Sequence, residues 1–314
     1  MNQNIRLQKK NLLSAGLAIA IFSLALWILV LEAPTLSQGY LGAAVNQSLN
    51  TTVNITNAAP EVRSAVLDSS IFLEAYGEVA VNCTAVVFDW DNDTLTVNAS
   101  LYLNGRAMPD GTLDNNTLYK NTSCTRMTEQ DRTMNYTCAF PVQYYADNST
   151  NWRCNVTAED DERAYNSNIS NAGNINALVA IYVPGVLNFG ELAVNDISED
   201  KLANITNAGN RNISIAAEGW GAVKGDGLAM NCSYGSIAVG YERYNLTTGR
   251  LWDTQMVQLT NQSLSINGLR VFHRFADTEI ATSTNTTYWK LKIPALAGGI
   301  CTGKILFTAS DSGS

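Results

Sequence analysis

The sequence predicts an all-β protein, two immunoglobulin-like β-sandwich domains following an N-terminal transmembrane helix. Three observations carry this expectation. From about residue 66, short apolar runs alternate with period two and are bounded by turn residues. No long amphipathic helical pattern interrupts them. Six cysteines, an even number, are spread through the alternating part without a Cys-x-x-Cys pair.

The N-terminus sets the compartment. Arg6, Lys9 and Lys10 precede an apolar run over residues 12–31, and the first acid is Glu32. A helix of that length spans about 30 Å, enough to cross a bilayer. Basic residues stay on the inner side, so the rest of the chain lies outside. Residues 1–32 are therefore expected to be a signal anchor that holds the chain to the membrane through residues 12–31. The alternative is a cleaved secretory signal and a secreted product. Against it, the run exceeds the usual apolar region of such signals, and no clean Ala-x-Ala follows.

Charge narrows the partners. All 28 acids follow the apolar run, and three of the 20 basic residues precede it, which leaves the outer part at −11. Such a surface repels nucleic acid, so no nucleic-acid partner is expected. With one histidine in the chain, a zinc site is not expected either.

Asn-x-Ser/Thr acceptor motifs dominate the outer part. They begin at Asn46, Asn50, Asn54, Asn82, Asn92, Asn98, Asn115, Asn121, Asn135, Asn148, Asn155, Asn168, Asn204, Asn212, Asn231, Asn245, Asn261 and Asn285. This is roughly three times what composition alone would place, and none falls before residue 46, which reads as glycosylation. Strand parity agrees. Val79, Val81, Cys83, Ala85 and Val87 share one face and Asn82 the other, and Asn98, Asn155, Asn212 and Asn231 likewise oppose their apolar neighbours.

The chain divides into a glycosylated stalk at 33–65, a first immunoglobulin-like sandwich at 66–165, an Asn-rich linker at 166–177 and a second sandwich at 178–314. In the first, strands are expected at 79–88, 95–103, 140–145 and 152–158, with a hairpin from Cys124 to Cys138. In the second they are expected at 178–183, 201–205, 212–217, 236–241, 269–275, 288–293 and 304–308. Four cysteines in the first domain allow three pairings. Cys83 and Cys154 are both in phase with core residues and fit a cross-sheet bridge, which favours Cys83–Cys154 with Cys124–Cys138 stapling the hairpin. Cys232–Cys301 is left for the second domain.

The stretch Phe88-Asp89-Trp90-Asp91-Asn92-Asp93-Thr94-Leu95-Thr96-Val97 resembles the Asp-x-Asp-x-Asp-x-Leu-Thr turn of prokaryotic cadherin-like and PKD-like surface modules. Val156-Thr157-Ala158-Glu159-Asp160 is similar to their closing strand. Leu187–Leu192 with Ile205–Asn210 resembles a strand pattern of archaeal envelope proteins. The resemblance implies β-sandwich surface modules of archaeal type, and no activity.

Among candidate sites, Asp89, Asp91 and Asp93 could ligate calcium, with Asp160 or Asp161 completing the shell, because carboxylates spaced by two converge where a chain turns. No other cofactor is expected. His273 lies in an expected strand without a second histidine or a Gly-x-Ser-x-Gly, so no catalytic residue is assigned. Gly219, Gly221, Gly225 and Gly227 lack the Gly-Lys-Ser/Thr and strand-to-helix setting of a phosphate loop. Of the aromatics Trp90, Tyr144, Tyr145, Trp152, Trp220, Trp252 and Trp289, Trp152 is expected in the core. Trp220 and Trp252 are the better candidates for an exposed glycan platform. The leading expectation is a non-enzymatic envelope glycoprotein with a structural or adhesive role, whose partners are other surface proteins or glycans. A filament subunit is a variant of it. A carbohydrate- or ligand-binding module is the alternative, and an envelope hydrolase a third.

Overall fold

The computed structural model describes residues 48–54, 56–105, 114–275 and 281–313. The expected membrane helix at 12–31 and the acceptor at Asn46 lie outside these. No helix among the described residues is long and apolar enough to cross a membrane.

The first ten strands are β1 Glu61–Leu67, β2 Ser70–Ile71, β3 Glu78–Phe88, β4 Thr96–Leu103, β5 Leu118–Asn121, β6 Thr125–Gln130, β7 Thr133–Gln143, β8 Ser149–Glu159, β9 Tyr165–Ile169 and β10 Gly173–Ile175. One sheet runs β1-β3-β7-β6. The other runs β2-β10-β8-β4-β5, with β9 also paired to β8. This is the immunoglobulin order, two sheets with Greek-key connections. Alternation drives it. Val81, Cys83, Ala85 and Val87 of β3 and Trp152, Cys154, Val156 and Ala158 of β8 point into one core. β6 is exposed throughout and carries Arg126, Glu129 and Gln130, the polar dress of a safe edge strand.

The β6–β7 hairpin turns on Asp131 and Arg132, both at positive φ (50° and 66°), with Gln130 opposite Thr133. A two-residue hairpin needs such angles to match strand twist. The sequence supplies no Asn-Gly or Asp-Gly there, so it marked the hairpin without marking its turn.

Two expected boundaries are corrected. The stalk does not reach residue 65, since β1 begins at Glu61 and buries Val62. Residues 166–177 are not a linker, because they form most of β9 and all of β10. Their asparagines carry the reason. Asn171 accepts from the Leu67 N–H and donates to the Leu67 carbonyl, both at 3.1 Å. Asn166 accepts from the Val62 N–H and Asn168 donates to the Val62 carbonyl. A side-chain amide holds one donor group and one acceptor, like a peptide group. These residues therefore bond the edge of β1 where no backbone strand pairs with it. Richness in asparagine here is a ladder, and composition alone reads it as a spacer.

The second part has β11 Ile181–Tyr182, β12 Lys201–Asn207, β13 Ile213–Trp220, β14 Leu228–Tyr234, β15 Ser236–Ala238, β16 Glu242–Asn245, β17 Val257–Gln258, β18 Leu264–Ser265, β19 Thr284–Leu291, β20 Gly298–Thr302 and β21 Lys304–Asp311, with a one-turn helix at Trp252–Gln255. Its sheets run β11-β12-β19-β16-β17, β18-β13-β21 and β15-β14-β20. The first two face each other across a core, where Trp289 of β19 meets Phe307 of β21 edge-on at 5.8 Å. Among the described residues, 269–275, expected as a strand, make a single β-bridge, Val271–Ile213.

The two sandwiches meet at one end of β3. The Tyr76 N–H donates to the Ala208 carbonyl. The Tyr76 ring stacks against both Tyr144 and Tyr182. Asn210 is buried and binds both sides, donating to the carbonyls of Ala146 and Asn176 and accepting from the Leu178 N–H. Arg274 lies over the Tyr145 ring at 4.5 Å.

Candidate metal centre

The other end of the first sandwich gathers acids. β4 and β8 are antiparallel, with Thr96 opposite Glu159. The residues just before β4 and just after β8 are therefore neighbours. One carboxylate oxygen each from Asp93, Asp160 and Glu162 lie within 4.8 Å of one another.

Asp160 is 5% exposed. Its Oδ1 accepts from the Ala164 N–H at 2.7 Å, and its Oδ2 is buried with no hydrogen-bond partner. Asp89 is fully buried; its Oδ2 accepts from the Asp93 N–H at 2.7 Å, and its Oδ1 is likewise unpartnered. Buried carboxylate oxygens without a donor are costly, and a cation is one group that relieves them. The electrostatics agree. Burial, with the nearby Asp91, Asp161 and Asp160 charges, raises the Asp93 carboxyl. A hydrogen bond that protonated Glu162 donates to Asp161, with burial and the Asp161, Asp93 and Asp160 charges, pushes Glu162 up to about 7. Burial is also the largest cause raising Asp89.

Of the expected set Asp89, Asp91, Asp93 and Asp160, the structure converges only Asp93 and Asp160, and adds Glu162. Asp89 closes its own turn onto the Asp93 N–H. Asp91 is exposed and accepts from the Ala58 N–H at 2.6 Å, the bond that most lowers its carboxyl. Asn92, between Asp91 and Asp93, sits at φ 62° in the left-handed region. Glu162 was legible only as the last member of the acidic run 159–162. Three carboxylates supply hard oxygen donors, and calcium takes six to eight, so water or the Asp89 carboxylate would complete a shell.

The remaining sequence candidates fall elsewhere. His273 is a seam residue: its Nδ1 lies 3.0 Å from Asn212 Oδ1 and its Nε2 3.7 Å from Asp147 Oδ1. The glycine-rich loop is knit by Asp226, which accepts from the N–H groups of Gly221, Ala222, Val223 and Leu228. The Val223 bond leads in holding its carboxyl down at about 2. Trp152 and Trp289 are fully buried, and Trp252, expected to be exposed, is buried under Arg243. Tyr144 and Tyr145 are buried at the seam, Trp220 is half-buried, and Trp90 is exposed.

The cysteines are joined Cys83–Cys154, Cys124–Cys138 and Cys232–Cys301, with Cα separations of 6.5, 4.4 and 3.9 Å. Cys83 and Cys138 face each other on β3 and β7, yet each bonds elsewhere. The acceptor asparagines among the described residues are all exposed or half-exposed.

No family model matches the chain, and no curated protein matches it in sequence. Three solved structures follow part of its course. One is a chain of the chaperone–tip adhesion subunit pre-assembly complex CsuC–CsuE, from the archaic chaperone-usher Csu pili of Acinetobacter baumannii. It is 10% identical with a TM-score of 0.37, over 80% of this chain and 99% of that one. A chain of a chaperone–tip adhesin complex of CFA/I fimbriae biogenesis is 11% identical with a TM-score of 0.29, over 81% of this chain and 84% of that one. The CupB6 tip adhesin from Pseudomonas aeruginosa is 12% identical with a TM-score of 0.25, over 82% of this chain and 94% of that one. Likeness at this level assigns no role to the chain.

Proposed function

We propose that this chain is a non-enzymatic cell-envelope glycoprotein with a structural or adhesive role, carried outside the membrane by its N-terminal apolar run. One observation carries the reading. None of the described acceptor asparagines is buried, on either sandwich, whereas the fully buried asparagines Asn116, Asn207 and Asn210 begin no acceptor motif. Folding alone has no reason to sort asparagine by whether Ser or Thr follows two residues later. Attachment of a bulky sugar does. All six cysteines are bridged, which fits an oxidising space outside the cytoplasm.

Calcium belongs to the same reading, held by Asp93, Asp160 and Glu162. The unpartnered oxygens of Asp160 and Asp89 support it. Bound there, the ion would tie the β3–β4 turn to the end of β8 and stiffen the end where the chain enters the fold.

The test is the intact mass of the protein from its native host, together with thiol labelling of living cells. A mass above the bare polypeptide by several glycans, with no reactive thiol, is expected. A bare mass or labelled cysteines would overturn the reading.

A further inference from the structure

The second sandwich is open where the first is closed. Among the described residues β21 pairs with β13 alone and is the edge of its sheet. Beside it lies a groove of about 1250 Å³, lined by Leu187, Leu192, Ile293, Ile300, Ile305 and Phe307 among others. Ile305 and Phe307 face the core yet are only half-buried, and Ile300 is 79% exposed. Residues 183–194 run along the groove without joining a strand. An edge of unpaired peptide groups above an apolar trough is a receptor for one more strand.

A strand of matching pattern stands elsewhere in the chain. Among the described residues, 48–54 join no strand, and Leu49 and Val53 are 87% and 85% exposed. Their parity is that of a strand with one apolar face, Leu49, Thr51 and Val53, set against Asn50, Thr52 and Asn54. The acceptors Asn46, Asn50 and Asn54 fall every fourth residue, all on the second face. Seven residues extend about 23 Å, close to the eight-residue length of β21.

We propose that residues 48–54 of one copy lie along β21 in the groove of the next copy's second sandwich, with Leu49 and Val53 in the trough and the glycan-bearing asparagines outward. The partner is a second copy because of reach. The chain enters the first sandwich at Glu61, opposite Phe88 at the far end of β3, while the Tyr76 end of β3 touches the second sandwich. Those eleven residues of strand extend about 35 Å. Val53 is eight residues before Glu61, at most about 28 Å of chain, so its own groove lies beyond it. Donor and groove are different surfaces, so the contact is head to tail and propagates into a filament. The proposal deepens the envelope role above and rests on it.

The test uses two differently tagged full-length chains in detergent, Thr52→Cys in one and Leu306→Cys in the other, both on the outward face of the paired strands, mixed under mild oxidation. A disulfide between the two tags is expected, and its yield should fall about a hundredfold when Leu49→Asp is added to the donor, since a charge cannot enter the trough. Position 49 lies outside both cores, so folding is not at stake. A peptide of residues 45–56 should compete. No cross-link while both introduced thiols remain labelled would overturn the proposal, as would a cross-link confined to single chains carrying both cysteines. Native disulfides that stay intact in that outcome leave the envelope reading standing; native thiols found free would sink the envelope reading itself.

Discussion

In the first sandwich Cys83 on β3 joins Cys154 on β8 across the core, whereas in the second Cys232 and Cys301 are register partners on neighbouring strands of one sheet. The first fills its margins: among the described residues five half-buried hydrophobics pack against its core, Ala65, Leu73, Val79, Leu95 and Leu103, and asparagine side chains bond the free edge of β1. The second leaves Leu187, Leu192, Ile293, Ile305 and Phe307 half-buried along a trough. The same strand chemistry thus gives a finished module and an unfinished one. The difference lies in whether the sheet edge beside the apolar margin is covered or kept polar.

The largest test of this contrast compares disulfides. The two bridges close loops of nearly equal length, 71 and 69 residues apart. Chain entropy therefore contributes about 4 kcal/mol to each. Replacing Cys83 and Cys154 by Ala also opens a core cavity, so it should cost about 1–2 kcal/mol more than replacing Cys232 and Cys301. Denaturant melts of both double variants check this; equal losses would mean that the first core is no better packed.

Next is Glu242, 2% exposed at the groove and pushed by burial up to about 8. Its folded value lies above its unfolded one, so the folded state holds a proton that the unfolded state releases between pH 4.5 and 8. Its stability contribution is intact below pH 4.5, declines as pH rises, and is fully lost above 8. Glu242→Gln should flatten that slope and stabilise the protein at pH 7 by on the order of 3 kcal/mol, read from melts across pH.

Calcium should act on the first sandwich alone. At a hundredfold excess over its dissociation constant it should add about 2.7 kcal/mol. Glu162→Gln should weaken that effect, and affinity should drop as pH falls below about 7, where Glu162 takes up a proton that competes with the ion. Calorimetric titration checks both, and a Tm indifferent to chelator would remove the site.

Asn171→Ala should cost about 2 kcal/mol by stripping both bonds from Leu67, with loss of amide exchange protection at that residue. The smallest effect concerns glycans. Asn82 and Asn204 are exposed, while Asn148 and Asn168 donate their Nδ2 to the carbonyls of Ile175 and Val62. Mass spectrometry of glycopeptides should find the first pair occupied more fully than the second.

Period-two alternation set the class of the molecule. A strand with one buried face must place Val81, Cys83, Ala85 and Val87 together and turn Asn82 away, whatever its neighbours. The same local rule placed Cys83 and Cys154 in one core. Tertiary structure decided what depends on distant partners. The asparagines of 166–176 became a ladder only because β1 lies beside them. Glu162 joined Asp93, 69 residues away in the chain, because β4 starts where β8 ends. Trp252 lies under Arg243, in a place no local pattern signals. The open edge of β21 could not be read at all, since a strand's sequence fixes which face is apolar but not whether a neighbour arrives to take its hydrogen bonds.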